Sequence, residues 1–268
     1  MGVRKMHRVS FNTITNYYLD MESVLKLYHN FGILNVTLWR EKIDPIGVAN
    51  TKRLLDNYGI SVTGMCGWYN RPKSSITLQE KRRSIEIAAE LNAPTVTILA
   101  PGLNGFEGSL EDCRRVSLEQ IASLLDTARE CQVKLVIEPV HPKLLNSVSC
   151  LNTLEQAVEW CEKLGPGVGI ELDVNNLWWD PELYKYMKVA ANKKLICGVQ
   201  LSDVSNDGSQ ERAIMGKGIF NLKAFVRSLN ELGYTGMFEI ELIGKSLWMR
   251  DSNQYMKEIL KGCANLLG

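Results

Sequence analysis

From one end to the other, the chain alternates between short β-rich apolar runs and longer amphipathic stretches of helical period. The runs lie near 9–12, 34–38, 61–65, 95–99, 134–137, 169–172, 196–201 and 238–242. The helical stretches fall at 20–30, 46–58, 78–91, 111–131, 153–164, 181–191, 221–232 and 253–266. Strand-to-strand spacing of about thirty residues, repeated along the whole chain, predicts a closed (β/α)8 barrel rather than an open doubly wound sheet. Tyr58-Gly59-Ile60 and Leu232-Gly233-Tyr234 read as helix ends turning into the next strand. No linker, low-complexity segment or Gly-x-Gly-x-x-Gly fingerprint interrupts the pattern, so residues 1–268 are expected to form one domain.

Four of the later runs end on an oxygen-bearing side chain: Glu138 after 133–137, Asp173 after 168–172, Gln200 after 195–199 and Glu241 after 237–240. A buried parallel strand is nearly continuous in apolar residues, and a carboxylate at its end is costly unless it has a partner. In a closed barrel four such ends converge. That arrangement points to an enzyme with a metal site.

Composition narrows the partners. The chain has 31 basic and 30 acidic residues and a net charge of +1, which leaves no electrostatic footprint for nucleic acid or an anionic membrane. No apolar run approaches the ~20 residues that span a bilayer. The first residues lack the apolar stretch of a signal peptide, so a cytoplasmic protein is expected. The seven cysteines are odd in number and form no Cys-x-x-Cys pair; they read as reduced structural thiols. The oligomeric state stays open, a homo-oligomer included.

Barrel enzymes carry their chemistry at the C-terminal ends of the strands. Those ends hold Asn12, then Trp39 and Arg40, then Cys66-Gly67-Trp68-Tyr69, and Pro101-Gly102. Beyond them come Glu138 and His141, Asp173 and Asn176, Gln200 and Asp203, and Glu241. The loop after the seventh strand adds Arg212 and Met215-Gly216-Lys217-Gly218. Such a polar, aromatic-walled mouth suits a small polyhydroxylated ligand. Of the three histidines, His7 and His29 read as terminal and helix-surface residues. Taken singly, Glu138 and Asp173 also fit structural carboxylates, Gln200 a buried amide bonded to backbone, and Trp178-Trp179 core or subunit packing.

Several segments resemble one family. Glu138-Pro139-Val140-His141-Pro142, the stretch from Asp173 to Pro181, Gln200-Leu201-Ser202-Asp203, Gly216-Lys217-Gly218-Ile219 and Gly233-Tyr234-Thr235-Gly236 are similar to the xylose isomerase-like TIM barrels. These are the sugar phosphate isomerases and epimerases, with hydroxypyruvate isomerase, ketose 3-epimerases, inosose dehydratase and 3-dehydroshikimate dehydratase among them. The resemblance spans nearly the whole chain. It implies one divalent cation, Mn²⁺ or Mg²⁺, held by Glu138, Asp173, Gln200 and Glu241. Asn12, Trp39, Arg40, His141, Asn176, Asp203 and Arg212 then face a sugar or sugar derivative. Of Glu239 and Glu241 on the last strand only one is expected to point inward; the family register selects Glu241, and Glu239 is expected on the outer face near a helix. Three positions depart from the common pattern: Gln200 stands where His is usual, Asn176 where a substrate-binding His is common, and Lys217 where an acidic residue is frequent. A glutamine carbonyl is still a hard oxygen ligand, so the site stays all-oxygen.

The chemistry implied is proton abstraction next to a carbonyl by Glu138 or Glu241 through a metal-stabilised enediolate. Return of the proton on the opposite face makes an epimerase, and return at the neighbouring carbon makes an aldose–ketose isomerase. With Lys217 stabilising an enolate or protonating a leaving group, the same site is a dehydratase or lyase on a keto-polyol or 3-keto-glycoside. Lys217 and Gln200 favour that reading, a glutamine occurring at the Gln200 position in dehydratase branches of the family. A catalytically silent binding barrel is the reading from a different class. A DNA-repair endonuclease with several zinc ions is disfavoured, because the chain lacks the histidines and the basic groove.

Overall fold

Eight strands form the sheet of the computed structural model, which describes residues 8–67, 71, 75–207 and 211–267; His7, Trp68 and Tyr69 lie outside them. In chain order the elements begin with β1 (Val9–Asn12), α1 (Met21–Asn30), β2 (Asn35–Trp39), α2 (Arg40–Ile43), α3 (Gly47–Tyr58) and β3 (Ser61–Cys66). Then come α4 (Leu78–Glu90), β4 (Thr95–Ile98), α5 (Leu110–Ala122), α6 (Leu125–Glu130), β5 (Lys134–Ile137) and α7 (Leu154–Leu164). They are followed by β6 (Val168–Asp173), α8 (Val174–Leu177), α9 (Leu183–Asn192) and β7 (Ile196–Leu201). The chain closes with β8 (Asp203–Val204), β9 (Arg212–Ala213), α10 (Leu222–Glu231), β10 (Phe238–Ile240), α11 (Lys245–Trp248) and α12 (Ser252–Leu267). The parallel strands close into a barrel in the order β1-β10-β7-β6-β5-β4-β3-β2, and β8 pairs with β9 as a separate antiparallel ribbon. Among the described residues no helix is long and apolar enough to cross a membrane.

The chain divides into two compact units, Met1–Thr63 with Gly198–Gly268, and Gly64–Cys197. In the first, register pairs Ser10 with Glu239 and Glu239 with Gln200 across β1, β10 and β7. Strand side chains alternate between faces. Accordingly Phe11, next to Ser10, packs its ring 5.4 Å from Tyr28 of α1, while Ser10 bonds the Thr63 hydroxyl on the other face. The turn after β1 is pinned to β10: Thr15 Oγ1 donates to the Ile240 carbonyl and accepts the Leu242 N–H. That fixes the backbone on both sides of Glu241.

The second unit packs α4 on α6, α5 on α7 and α7 on α9, over β4, β5 and β6 in continuous register. Its helices start at capping boxes, Thr77 with Glu80, Ser109 with Asp112, and Thr153 with Gln156, which satisfy first-turn N–H groups. The stretch expected as a single helix over 111–131 breaks after Ala122. There the Ser123 hydroxyl bonds back to the Gln120 carbonyl and the Leu124 N–H reaches only Ile121, a side-chain competition with the helical ladder. The two glycines read as helix ends take left-handed φ values of 62° at Gly59 and 79° at Gly233. All seven cysteines are free.

Candidate active site

Within the first unit, six side chains meet on one face of the sheet. Asn12, at the end of β1, directs its amide nitrogen to Glu239 Oε1 at 2.7 Å and Glu241 Oε1 at 2.9 Å. Its amide oxygen accepts the Ile14 N–H at 3.0 Å, so the local turn fixes which way the amide faces. Gln200 Nε2 approaches the same two carboxylates, at 2.9 Å to Glu239 and 3.3 Å to Glu241. Thr37 of β2 donates its hydroxyl to Glu239 Oε2. The Glu241 Oε2 atom forms an ion pair with Arg212 at 2.5 Å, and the same guanidinium nitrogen donates to the Glu241 carbonyl at 3.0 Å. Asn12, Gln200, Arg212, Glu239 and Glu241 are all buried. Gln200 is 1% exposed, and its Oε1 has no hydrogen-bond partner among the described residues.

Glu239 therefore does not lie on the outer face near a helix. Residues two apart on a strand share a face, so Glu239 and Glu241 point the same way. Their carboxylate oxygens lie within 4.8 Å of one another. The Glu-x-Glu spacing was a visible signal for this pair. So was the polar alternation Ser10, Asn12 in β1 and Asn35, Thr37 in β2, which marks the same face.

The second unit builds its own cluster. Asp173 ends β6 and caps α8, its Oδ1 accepting the Asn175 N–H at 2.7 Å. Asn176 Nδ2 bridges Glu138 Oε1 at 2.7 Å and Asp173 Oδ2 at 3.0 Å, and its Oδ1 accepts the His141 N–H at 3.2 Å. The amide thus ties the loop after β5 to the turn after β6. His141 Nδ1 accepts the Lys143 N–H, so a neutral ring carries its proton on Nε2. Burial, and then the charge of Lys143, lower its pKa and favour that neutral form. Its ring lies 5.5 Å from Trp179, whose indole N–H donates to the Asn176 carbonyl; Trp178 is partly exposed. His29 sits on the exposed face of α1, bonded to the Tyr58 carbonyl.

The other expected site residues have different surroundings. Asp203 spends its carboxylate on backbone: Oδ1 accepts the N–H groups of Val204 and Phe220, and Oδ2 that of Gly216. It shapes the loop between β8 and α10, and Gly218 has no room for a Cβ, which would come 2.3 Å from the Val204 carbonyl oxygen and 2.5 Å from Asp203 Oδ1. Lys217 on that loop is exposed and lines a cleft of about 560 Å³ with Asn221, Lys223, Lys261 and Asn265. Trp39 is buried, and its backbone N–H donates to the Thr13 hydroxyl at 3.0 Å. Arg40 pairs with Asp44 one helical turn on, at 2.6 Å. Lys42, two residues later, is buried and donates to the carbonyls of Asn16, Tyr17 and Leu19; burial lowers its pKa to about 8.

The barrel has counterparts among known proteins. Residues 29–262 match the model of the xylose isomerase-like TIM barrel. The chain belongs to this family. Among solved structures, protein SMc04130 from Sinorhizobium meliloti 1021 superposes with a TM-score of 0.89 at 30% identity, over 97% of this chain and 98% of that one. The IolI protein with a bound zinc atom gives 0.81 at 18% identity over 97% and 98%. The 3-keto-D-glucoside 4-epimerase YcjR of E. coli gives 0.77 at 15% identity over 96% and 99%. The last two likenesses are of fold. A sequence comparison with curated proteins gave no match.

Proposed function

We propose that this member of the xylose isomerase-like family is a divalent-metal-dependent isomerase or epimerase of a sugar or keto-sugar. The reading is carried by Gln200: a buried amide whose nitrogen is held by two carboxylates and whose oxygen has no hydrogen-bond partner among the described residues. An unsatisfied buried oxygen is costly, and a cation is the partner that answers it. Glu138, Asp173, Gln200 and Glu241, the four oxygen-bearing residues that end apolar runs of the sequence, would hold the ion. Such an all-oxygen set fits Mn²⁺ or Mg²⁺ better than Zn²⁺. When bound, the ion polarises the substrate carbonyl and lowers the barrier to the enediolate.

The side chains divide the remaining work. A carboxylate oxygen of Glu138 or Glu241 takes the proton next to the carbonyl, and the other returns one. Arg212 gives Glu241 a counter-charge and holds Oε2, leaving the direction of Oε1 to Asn12 and Gln200. Asn176 locks Glu138 against Asp173, and His141, with its proton on Nε2, offers a donor to a substrate hydroxyl. L-ribulose 3-epimerase and D-psicose 3-epimerase share the fold at 17% and 16% identity, which makes ketoses the first substrates to try, with 3-keto-glycosides next. The dehydratase or lyase alternative draws on Gln200 and on Lys217 as an acid or enolate partner; the exposure of Lys217 in its cleft weighs against the second of these and favours the isomerase or epimerase reading. The test is turnover: Glu138→Gln and Glu241→Gln should each fold and lose at least ~10² in kcat. Full activity in either variant removes that residue from the mechanism.

A further inference from the structure

We infer that Glu239 is a positioning residue that sets which end of the Gln200 amide faces the site; the inference rests on Gln200 serving as a cation ligand. An amide presents a donor end and an acceptor end of nearly the same shape, and its orientation follows the groups around it. A carboxylate only accepts. Glu239 Oε1 therefore selects Nε2 of Gln200, at 2.9 Å, and turns Oε1 away. Glu241 approaches the same nitrogen at 3.3 Å, and its other oxygen is committed to Arg212. Glu239 is the closer partner and stands directly beside Gln200 in the β10–β7 register.

Glu239 is itself held on both oxygens. Asn12 Nδ2 reaches Oε1 at 2.7 Å and the Thr37 hydroxyl reaches Oε2. Behind Thr37 stands Thr63, at 3.2 Å between hydroxyls, and behind Thr63 stands Ser10, at 2.6 Å. A chain of hydroxyls, from buried Thr37 through half-buried Thr63 to buried Ser10, thus fixes the carboxylate that fixes the amide. Replacing Glu239 by Gln keeps size and shape but supplies an NH₂ group able to donate to Gln200 Oε1. The flipped amide then becomes stable, and its oxygen is lost to a ligand.

The test is Mn²⁺ titration, followed by calorimetry and by the EPR signal of free Mn²⁺, on wild type, E239Q, Q200A and the double variant. Groups that orient metal ligands typically change affinity ~10- to 100-fold when removed. E239Q should weaken Mn²⁺ by about 10-fold or more when Gln200 is present and add less than about 2-fold in the Q200A background. Wild-type affinity in E239Q, or an equal loss in both backgrounds, overturns the inference, the latter because Glu239 would then act on the ion directly. NMR of the Gln200 side-chain NH₂ without metal separates the two readings. If Q200A binds Mn²⁺ as wild type does, the ligand reading fails. Slow exchange of that NH₂ in wild type, lost in E239Q, would still support the orienting role, and no change would refute it. Should E239Q not fold, Thr37→Val takes its place, with a smaller loss expected that again depends on Gln200; undiminished affinity there overturns the inference.

Discussion

Replacing Arg212 with Met should destabilise the metal-free protein by about 3–5 kcal/mol, the cost of leaving one partner of a buried ion pair uncompensated. Both partners are buried, at 8% and 4% side-chain exposure, with 2.5 Å between charged atoms. The same substitution removes a donor from the Glu241 carbonyl, which keeps the effect in the upper part of that range. Measured by urea unfolding in chelator, where slopes are ~1–3 kcal/mol per molar for small proteins and steeper for larger chains, the midpoint should fall by roughly 1 M. The origin of the loss is separable. Adding Glu241→Gln removes the stranded charge, so the double variant should recover at least about half of it. An R212M protein within about 1 kcal/mol of wild type would refute the argument, because the pair would then behave like an exposed one.

Three further outcomes follow from named contacts. Lys217→Ala should leave kcat and Mn²⁺ affinity near wild type, since the side chain is exposed in the outer cleft; a joint fall in kcat and kcat/KM in steady-state assays would return it to the chemistry. The Arg71 guanidinium, and then the Thr77 N–H and hydroxyl, hold the Glu80 carboxyl down to about 2 from an ordinary 4.5, so its contribution is complete above pH 4.5 and lost as pH falls through about 2. The Tm difference between wild type and Arg71→Ala, followed against pH, should shrink across that window, and a constant difference would contradict it. Lys42 is displaced the other way for a base, from 10.5 to about 8 by burial. The unfolded chain then binds more protons between those values, and wild type should gain stability from pH 8 to 10.5 relative to Lys42→Met in denaturant titrations; parallel pH profiles would count against it.

Much of the architecture is legible because its signals are local. The runs at 9–12, 134–137 and 196–201 coincide with β1, β5 and β7, and helix boundaries fall within a residue or two where a Thr, Ser or Asp cap or a glycine stop marks them. What escaped is set by distant partners. Nothing near Asp203 announces that its carboxylate organises the loop through Gly216 and Phe220, or that Arg212 forms a ribbon beside it. The sequence marks Asn176 as a site residue, but its bridging of Glu138 and Asp173 depends on the meeting of two loops. Glu239 differs: residues two apart on a strand share a face, so the expectation that only one of Glu239 and Glu241 points inward misapplies the strand period.

The central claim is that this site takes a proton from a carbon next to a carbonyl with the help of one bound cation. Metal analysis of the purified protein, followed by incubation with ketoses and 3-keto-glycosides in D₂O, tests it most directly. The account predicts about one Mn²⁺ or Mg²⁺ per chain, loss of that metal in Asp173→Ala, and deuterium on a substrate carbon adjacent to the carbonyl in wild type but not in Glu138→Gln or Glu241→Gln. Unaltered metal content in Asp173→Ala, or deuterium exchange that persists in both glutamine variants, would contradict it.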